Sequence, residues 1–559
     1  MLVPGQQQQQ QQQQHSLALD PLDELHAALA TMQSQYFELW LGQWPQAIDW
    51  TAAVTATHVS SSLRSLTHAL ARHQDRIGPV RVENELNRFF EHVVAYYFGE
   101  DAFALRMQAY DDMLWVVLGW LEGIKFTREQ AALHERRHGA RDADEPATQW
   151  HGTQFVSAFA HRAHIFYDIA RQGWDTRLCG GGMTWNPHLL PYKNAITNEL
   201  YISASVGMYL DFPGDENTSP FLASGSSSGS GNDDDDAALP PARPHDSAFL
   251  RAAQDGYAWL KRSNMTDDAG LYVDGFHITD FGKNGSIGTG KCDERNDMVY
   301  TYNQGVLLSG LRGLWESTGK TAYLEDGHAL VRSVIAATGW DAERGEAGEA
   351  GDDAWHPLGR AGILHDACDR DATCSQDGQT FKGIFFNHFT AFCAPLPAQP
   401  RVPDVSFGAD AELRSLHLSS CRGYAAWVAR NAKAALATRD QAGRFGGWWG
   451  AGVGIGEEGI VVPASATDYR NDGDVLAREP WSVSDTDASS EPSSQSQRPP
   501  QCPRRPGARR ARTAEAAAAD DPNDRGRGRT VETQGGGVAV VRALWEFVAL
   551  FEGEKGESE

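Results

Sequence analysis

Apolar residues recur at three- and four-residue spacing in segment after segment of this chain, and almost nowhere do they alternate. Tyr302 to Ser317 shows the pattern, with Val306, Leu307, Leu311, Leu314 and Trp315 on one stripe and Gly319 ending it. The spacing predicts twelve helices, near 19–40, 59–73, 82–98, 110–125, 151–173, 194–211, 246–263, 301–318, 320–338, 380–397, 410–438 and 532–551. Strand signals are confined to short pieces such as Leu271-Tyr272-Val273. The fold class is therefore all-α. An even number of helices at hairpin spacing suggests a toroid of helical hairpins, and periodicity alone leaves an irregular helical bundle open.

Three stretches interrupt the series. Residues 213–245 are rich in Pro, Gly, Ser and Asp, 342–356 in Gly and Glu, and 478–525 in Ser and Pro and then in Arg and Ala. None can bury enough apolar surface to offset its ordering entropy, so all three read as inserts. Helices continue on both sides of each. With 559 residues, 41% of them hydrophobic, the chain can fill one large core or two. The organisation expected is one domain over 19–552, after a polyglutamine segment 1–18 and before a charged tail 553–559.

The net charge is −25 and no basic stripe lies on a periodic segment, so nucleic acid is not an expected partner. No stretch reaches the roughly 20 apolar residues of a membrane span. Met1 to Gly5 runs into Gln6–Gln14 with no charged n-region, apolar h-region or cleavage site, so no secretory signal is read there. Seven cysteines form no CxxC pair and no Cys/His cluster of zinc spacing, so neither a metal nor a cofactor is expected. Cys368 and Cys374 flank the short polar loop Asp369 to Thr373, which suits a local disulfide, and Cys502 is the odd one. Seven free thiols are the alternative. A monomer is the expected state.

One motif carries chemistry. Asp111-Asp112 sits in Tyr110-Asp111-Asp112-Met113-Leu114-Trp115, two carboxylates running straight into an aromatic helix. Adjacent carboxylates repel, and desolvation beside Trp115 raises the pKa of whichever gives way. The result is one ionised and one protonated acid, which is what cleavage of a glycosidic bond requires. The competing reading is a helix cap, since Asp accepts backbone N–H bonds in a first turn. Trp115, Trp120, Tyr96, Tyr97 and Trp185 supply aromatic faces on which sugar rings stack, and this favours catalysis. Asp267-Asp268, Asp352-Asp353 and the run Asp233 to Asp236 lack such a setting and read as solvated.

Five motifs together resemble glycoside hydrolase family 76, the α-1,6-mannanases, in its fungal, secreted form. They are Asp111-Asp112-Met113-Leu114-Trp115; Cys179-Gly180-Gly181-Gly182-Met183-Thr184-Trp185 with Tyr192-Lys193-Asn194-Ala195-Ile196-Thr197-Asn198-Glu199; Tyr300-Thr301-Tyr302-Asn303-Gln304-Gly305; Gln379-Thr380-Phe381-Lys382-Gly383; and Gly446-Gly447-Trp448-Trp449 followed by Glu532-Thr533-Gln534-Gly535. The resemblance implies an (α/α)6 barrel, cleavage of α-1,6-mannan or mannoprotein glycan with retention of configuration, and a secreted or cell-wall location. By position, Asp111 matches the nucleophile and Asp112 the general acid/base; from spacing alone the roles could be exchanged.

The remaining motifs supply candidate sugar contacts, each with a structural alternative. Tyr302, Asn303 and Gln304 open a helix, where they reach ligand hydroxyls or cap. Asn198 and Glu199 form a cleft rim or an ordinary polar helix surface. Trp185 follows three glycines, which let the backbone turn tightly and bring a ring to the ligand. Trp115 is a further aromatic face. Of Trp448 and Trp449, one is core and the other, Trp448, faces the cleft. Lys382 bonds substrate or an Asp. His277 and His388 read as satisfied. The insert 478–525 and the missing signal depart from the family pattern, and neither touches the Asp pair. The same carboxylates would serve a cell-wall mannan transglycosylase, and a non-catalytic mannan-binding protein or a scaffold are the other classes.

Overall fold

The computed structural model describes residues 20–72, 78–138, 149–218, 239–341, 346–347, 354–453, 459–471 and 521–552. The polyglutamine segment, the tail, Cys502 and most of the predicted inserts lie outside them.

Among the described residues thirteen long helices carry the fold: α1 (Pro21–Gln35), α2 (Asp49–Arg72), α3 (Pro79–Gly99), α4 (Tyr110–His138), α5 (Val156–Ala170), α6 (Ala195–Leu210), α7 (Ser247–Arg262), α8 (Thr301–Thr318), α9 (Ala322–Ala336), α10 (Gln376–Phe392), α11 (Ala411–Gly423), α12 (Ala425–Ala437) and α13 (Val531–Glu552). Six of them close a ring. Helix α2 packs on α4, α4 on α6, α6 on α8, α8 on α10, α10 on α13, and α13 returns to α2. The others form an outer layer: α3 on α2, α5 on α4, α7 on α6, α9 on α8, and both α1 and α12 on α13. This is the (α/α)6 toroid, and it excludes the irregular bundle.

The inner helices are buried on nearly every side, which explains where periodicity mislocates them. Helix α2 starts at Asp49, ten residues before the expected start, because Trp50 to Leu63 is buried all round. Its Thr55 and Thr57 bond the carbonyls four residues back, so they need no water. The expected helix 410–438 breaks at Tyr424 into α11 and α12. Where α8 crosses α10, a Cβ on Gly305 would lie 2.5 Å from the Phe385 Cα, so only glycine allows that approach.

Because outer and inner helices alternate, all six inner helices point the same way. Their N-terminal ends gather at one face, where the partial positive charge of each helix end favours carboxylates. A small antiparallel sheet lies on this face: β1 (Lys193–Asn194), β2 (Val273–His277) and β3 (Glu294–Val299), in that order. Strand β1 feeds directly into α6, and β3 into α8.

Three disulfides form among the described residues. Cys368–Cys374 closes the expected loop. Cys179–Cys292 ties the glycine-rich loop to the β2–β3 connection, and Cys393–Cys421 ties the end of α10 to α11. Six of the seven cysteines are therefore paired.

Candidate active site

Asp111 and Asp112 are the first acidic residues of α4. The helix start is fixed by the neighbouring loop, because the Tyr110 N–H donates to the Trp185 carbonyl at 2.8 Å. Asp112 Oδ2 accepts from the Ala109 N–H at 3.2 Å, and Asp111 Oδ1 accepts from the Asp112 N–H at 3.1 Å. Capping bonds are thus present, yet they do not account for the setting. Asp111 is buried and Asp112 half-buried, beneath an aromatic wall in which Trp50 stacks on Trp115.

Burial pushes the Asp111 carboxyl up to about 6, opposed by the Arg470 guanidinium, nearby backbone N–H groups and the Trp185 indole. Asp112 is pushed well above the carboxylate range, by burial first and then by repulsion from Asp111. Arg470 and the Ala109 N–H oppose this too weakly to reverse it. The two acids are therefore split: at neutral pH Asp111 is ionised and Asp112 holds a proton.

Arg470 is the centre of the site's electrostatics. Its guanidinium lies 3.4 Å from Asp111 Oδ2 and stacks on Trp185 at 4.8 Å. Tyr302, Asp274 and Asp377 also act on it. Asp274 on β2 accepts from the Tyr192 hydroxyl at 2.6 Å and from Asn296 Nδ2 at 3.3 Å. Asp377, in the first turn of α10, accepts from Trp50 Nε1 at 3.2 Å. Burial raises both of these carboxyls, against the pull of Arg470.

The glycine-rich loop holds Trp185 in place. Cys179, Gly180, Gly181 and Gly182 all have positive φ. A Cβ on Gly182 would meet the Trp259 ring at 2.5 Å, so that position needs glycine for both reasons.

The other predicted contacts divide into two groups. Three are committed to holding the structure. Asn198 accepts from the Met183 N–H and donates to the Met183 and Asn194 carbonyls. Gln304 bonds both backbone groups of Tyr272 and the Tyr300 carbonyl. Lys382 reaches both oxygens of Asp369 at 2.6 Å. Their polar atoms are engaged by the protein itself: Asn198 and Gln304 take the structural alternative to a ligand contact, and Lys382 meets an Asp, one of the two partners expected of it. Trp115 is likewise buried behind the site, between Trp50 and His388.

The second group is unsatisfied. Both Glu199 oxygens, both Asn303 amide atoms and the Tyr302 hydroxyl are buried without a hydrogen-bond partner among the described residues. So are the Asn194 amide and the Thr197 hydroxyl. Buried polar groups of this kind ordinarily have partners, and such a concentration marks a place where ligand or water supplies them. Burial, then Asp274, pushes Glu199 well above the carboxylate range, so it is neutral. Trp448 is buried under the Arg525 guanidinium with its indole N–H unpartnered among the described residues, and Trp449 packs on Phe386 in the core. His277 meets the Tyr469 hydroxyl and His388 meets Ser309.

A model of glycosyl hydrolase family 76 matches residues 239–423. Over that span the chain is similar to family 76. The family 76 span holds Asp274, Tyr302, Asp377 and Lys382, while the Asp111 pair and Arg470 lie outside it. The mannan endo-1,6-alpha-mannosidase DCW1 of Candida glabrata is 24% identical over 238 residues, 41% of this chain. The match spans 38% of that relative's length. Among solved structures, the GH76A alpha-1,6-mannanase from Salegentibacter sp. HEL1_6 aligns at 16% identity over 95% of this chain and 100% of that one, with a TM-score of 0.48. Dfg5 from Chaetomium thermophilum, in complex with glucosamine, aligns at 12% identity over 73% of this chain and 74% of its own, with a TM-score of 0.43. The toroid itself rests on the helix contacts of this chain.

Arg470, Asp274, Asp377 and Trp50 are absent from the sequence-derived candidates. Arg470 stands in Asp468-Tyr469-Arg470-Asn471, a polar and aromatic block between family 76 motifs, and that composition was the available signal. Two groups bring three metal-type ligand atoms together, His328/His417/Cys421 and Cys368/Asp369/Cys374. Their sulfurs are in disulfides, and neither group includes a member of the Asp111 cluster. No described helix is long and apolar enough to cross a membrane.

Proposed function

We propose that this chain is a retaining, endo-acting glycosidase that cleaves α-1,6-mannosidic linkages in mannan or mannoprotein glycan, at the cell wall or outside the cell. One observation carries the reaction class: adjacent carboxylates, one ionised and one protonated, at the head of an inner helix in an aromatic setting. The mannan substrate is supported by the family 76 match and by the names of the relatives.

In the first step Asp112 gives its proton to the glycosidic oxygen, and an Asp111 oxygen forms a bond to the anomeric carbon as the C–O bond to the leaving sugar breaks. In the second, Asp112, now a base, takes a proton from water, and the resulting hydroxide attacks the same carbon and releases Asp111. Asp111 in its ionised form also stabilises the oxocarbenium charge of both transition states. Arg470 holds Asp111 ionised. Glu199, Asn303 and Tyr302 offer donors and acceptors for sugar hydroxyls.

The test is incubation with unbranched α-1,6-mannan, following product mass and anomeric configuration. Short α-mannosides appearing first, and their loss in Asp111→Asn with mannan binding retained, is the expected result. Products appearing first as the β-anomer, or an active Asp111→Asn, overturn the mechanism. Products longer than the substrate replace hydrolysis by transfer.

A further inference from the structure

Two loops beside the Asp pair present apolar side chains to solvent. The first joins α1 to α2 and carries Leu39 and Trp40; the second joins α3 to α4 and carries Phe103 and Met107, with Phe98 at the end of α3. Trp40 is 80% exposed and Phe98 76%, and the other three are more than half exposed. Among the described residues, the other exposed large apolar side chains are scattered, as Val80 and Leu416 are, or form the short pair Val461-Val462. The first loop meets the end of α3 through Gln43 and Gly99, and a local excess of exposed apolar side chains of this kind marks an interaction site.

The cluster is rigid. Glu38 and Gln43 pair across the first loop, and Gln43 also bonds the Gly99 carbonyl of the second. Gly42 has φ +65, and a Cβ there would lie 2.2 Å from the Ala95 carbonyl oxygen, so the loop is clamped onto α3. Four residues beyond Trp40, Trp44 is 2% exposed and anchored to Gln33, which makes the outward turn of Trp40 the more distinct. The second loop is tied to the site: Met107 pairs through its carbonyl with His188, Gln108 bonds Asp49, and Tyr110 and Asp111 follow directly.

We propose that Trp40, Phe98 and their neighbours form a platform for sugar units of the glycan several residues away from the bond being cleaved. The inference rests on the mannan-hydrolase reading and adds where the polymer runs. Both loops lie at the face where the inner helices begin, so the platform continues the mouth of the site. Neutral sugar rings present C–H faces that suit aromatic rings, and rings displayed rigidly bind at low ordering cost. A bilayer seated on the same face would cover that mouth, and the net charge of −25 opposes an anionic one.

The experiment compares wild type with Trp40→Ala/Phe98→Ala on long unbranched α-1,6-mannan and on a tetrasaccharide of the same linkage. The expected result is a KM for the polymer raised roughly tenfold, the scale of one or two aromatic contacts, with kcat and the tetrasaccharide kinetics unchanged. Trp40→Phe should recover part of the loss. An unchanged polymer KM, or equal losses on both substrates, overturns the platform. If wild type turns over neither substrate, the hydrolase reading fails by itself, and mannan affinity by calorimetry then decides: weaker binding by the double variant upholds the platform, equal binding removes it. Wild-type binding to phosphatidylcholine vesicles, or a wild-type dimer, that the double variant loses assigns the patch to a membrane or to a second copy and overturns the glycan platform.

Discussion

The two ends of the ring treat buried charge in opposite ways. At the end opposite the Asp pair lies a cavity of about 320 Å3 lined by Arg64, Glu122, Lys125, Glu129, Asp211, Arg312, Glu316 and Arg401 among others. There each acid has a cation. Arg64 lies 2.7 Å from Glu122 and 2.6 Å from Glu129, Lys125 lies 2.6 Å from Glu122, and Arg401 bonds Asp211 and Glu316. Against the cost of burial, Arg64 holds Glu129 down to about 2 and, with Lys125, holds Glu122 well below the usual carboxylate range. At the end that holds the Asp pair, Arg470 faces Asp111, Asp274 and Asp377, with Arg527 also acting on Asp377, and the acids there are pushed up. The same residue types are held ionised as mortar at one end and pushed toward the protonated form at the other. The ratio of cations to acids decides which.

Substitutions can break this contrast at either end. The largest effect expected is from Asp111→Asn, which should lower kcat by at least about a thousandfold, as removal of a covalent nucleophile does. Thermal melting should show no loss of stability, because a carboxylate that burial disfavours has been removed.

Next is Arg64→Met, which leaves Glu122 with Lys125 alone and Glu129 with His68 alone. It should cost about 3 kcal/mol in denaturant unfolding, the scale for breaking a partly buried pair, while kcat is unaffected. The sign follows from the depressed carboxyl values. The stabilisation is present above the unfolded carboxylate pKa and is lost as pH falls toward about 2, so wild type keeps it at pH 5 and the variant lacks it at both pH 5 and pH 7.

Arg470→Met sharpens the comparison from the other side. Without the cation, Asp111 takes up a proton more readily, so the acidic limb of kcat/KM should lie at higher pH than in wild type. An unmoved limb would separate Arg470 from the nucleophile's ionisation.

The smallest effect is expected from Glu199→Gln. A carboxyl with a raised folded pKa is stable while protonated and costs stability as pH rises through that value. The unfolding free energy of wild type should therefore fall, as pH rises from the unfolded carboxylate value of about 4.3 toward neutrality, by more than that of the Gln variant.

Much of the fold was legible because helices alternate with polar connections. Helix α8 follows the apolar stripe from Thr301 to Thr318 and stops at Gly319, which takes the left-handed conformation expected of a C-cap. The misplaced start of α2 has a physical cause: an inner helix buried all round has no polar face to mark its period. Strand β3, Glu294-Arg295-Asn296-Asp297-Met298-Val299, carries four polar residues in six and reads as a loop until β2 pairs with it.

The site divides similarly. The Asp pair is legible because both acids are adjacent and precede an apolar helix. Asp274 and Asp377 are single acids in a strand and a helix start, and only the ring brings them to Arg470. For Asn198 and Gln304 the motif was visible, but the backbone groups they hold lie across loop contacts that spacing does not reveal.

Closure of the ring by α13 has a consequence for synthesis. This helix packs against α1, α2 and α10, and Gln534 bonds the Ala28 carbonyl at one side and the Phe445 N–H at the other. A ribosome making the chain delivers α1 through α10 well before Val531 emerges, so the apolar flank of α2 waits uncovered for most of translation and that of α10 for the stretch between Phe392 and Val531. The nascent chain is then a horseshoe rather than a ring. Its exposed edges are chaperone clients until the last helix arrives, and a product cut short before residue 531 keeps the Asp pair but never closes the floor beneath it.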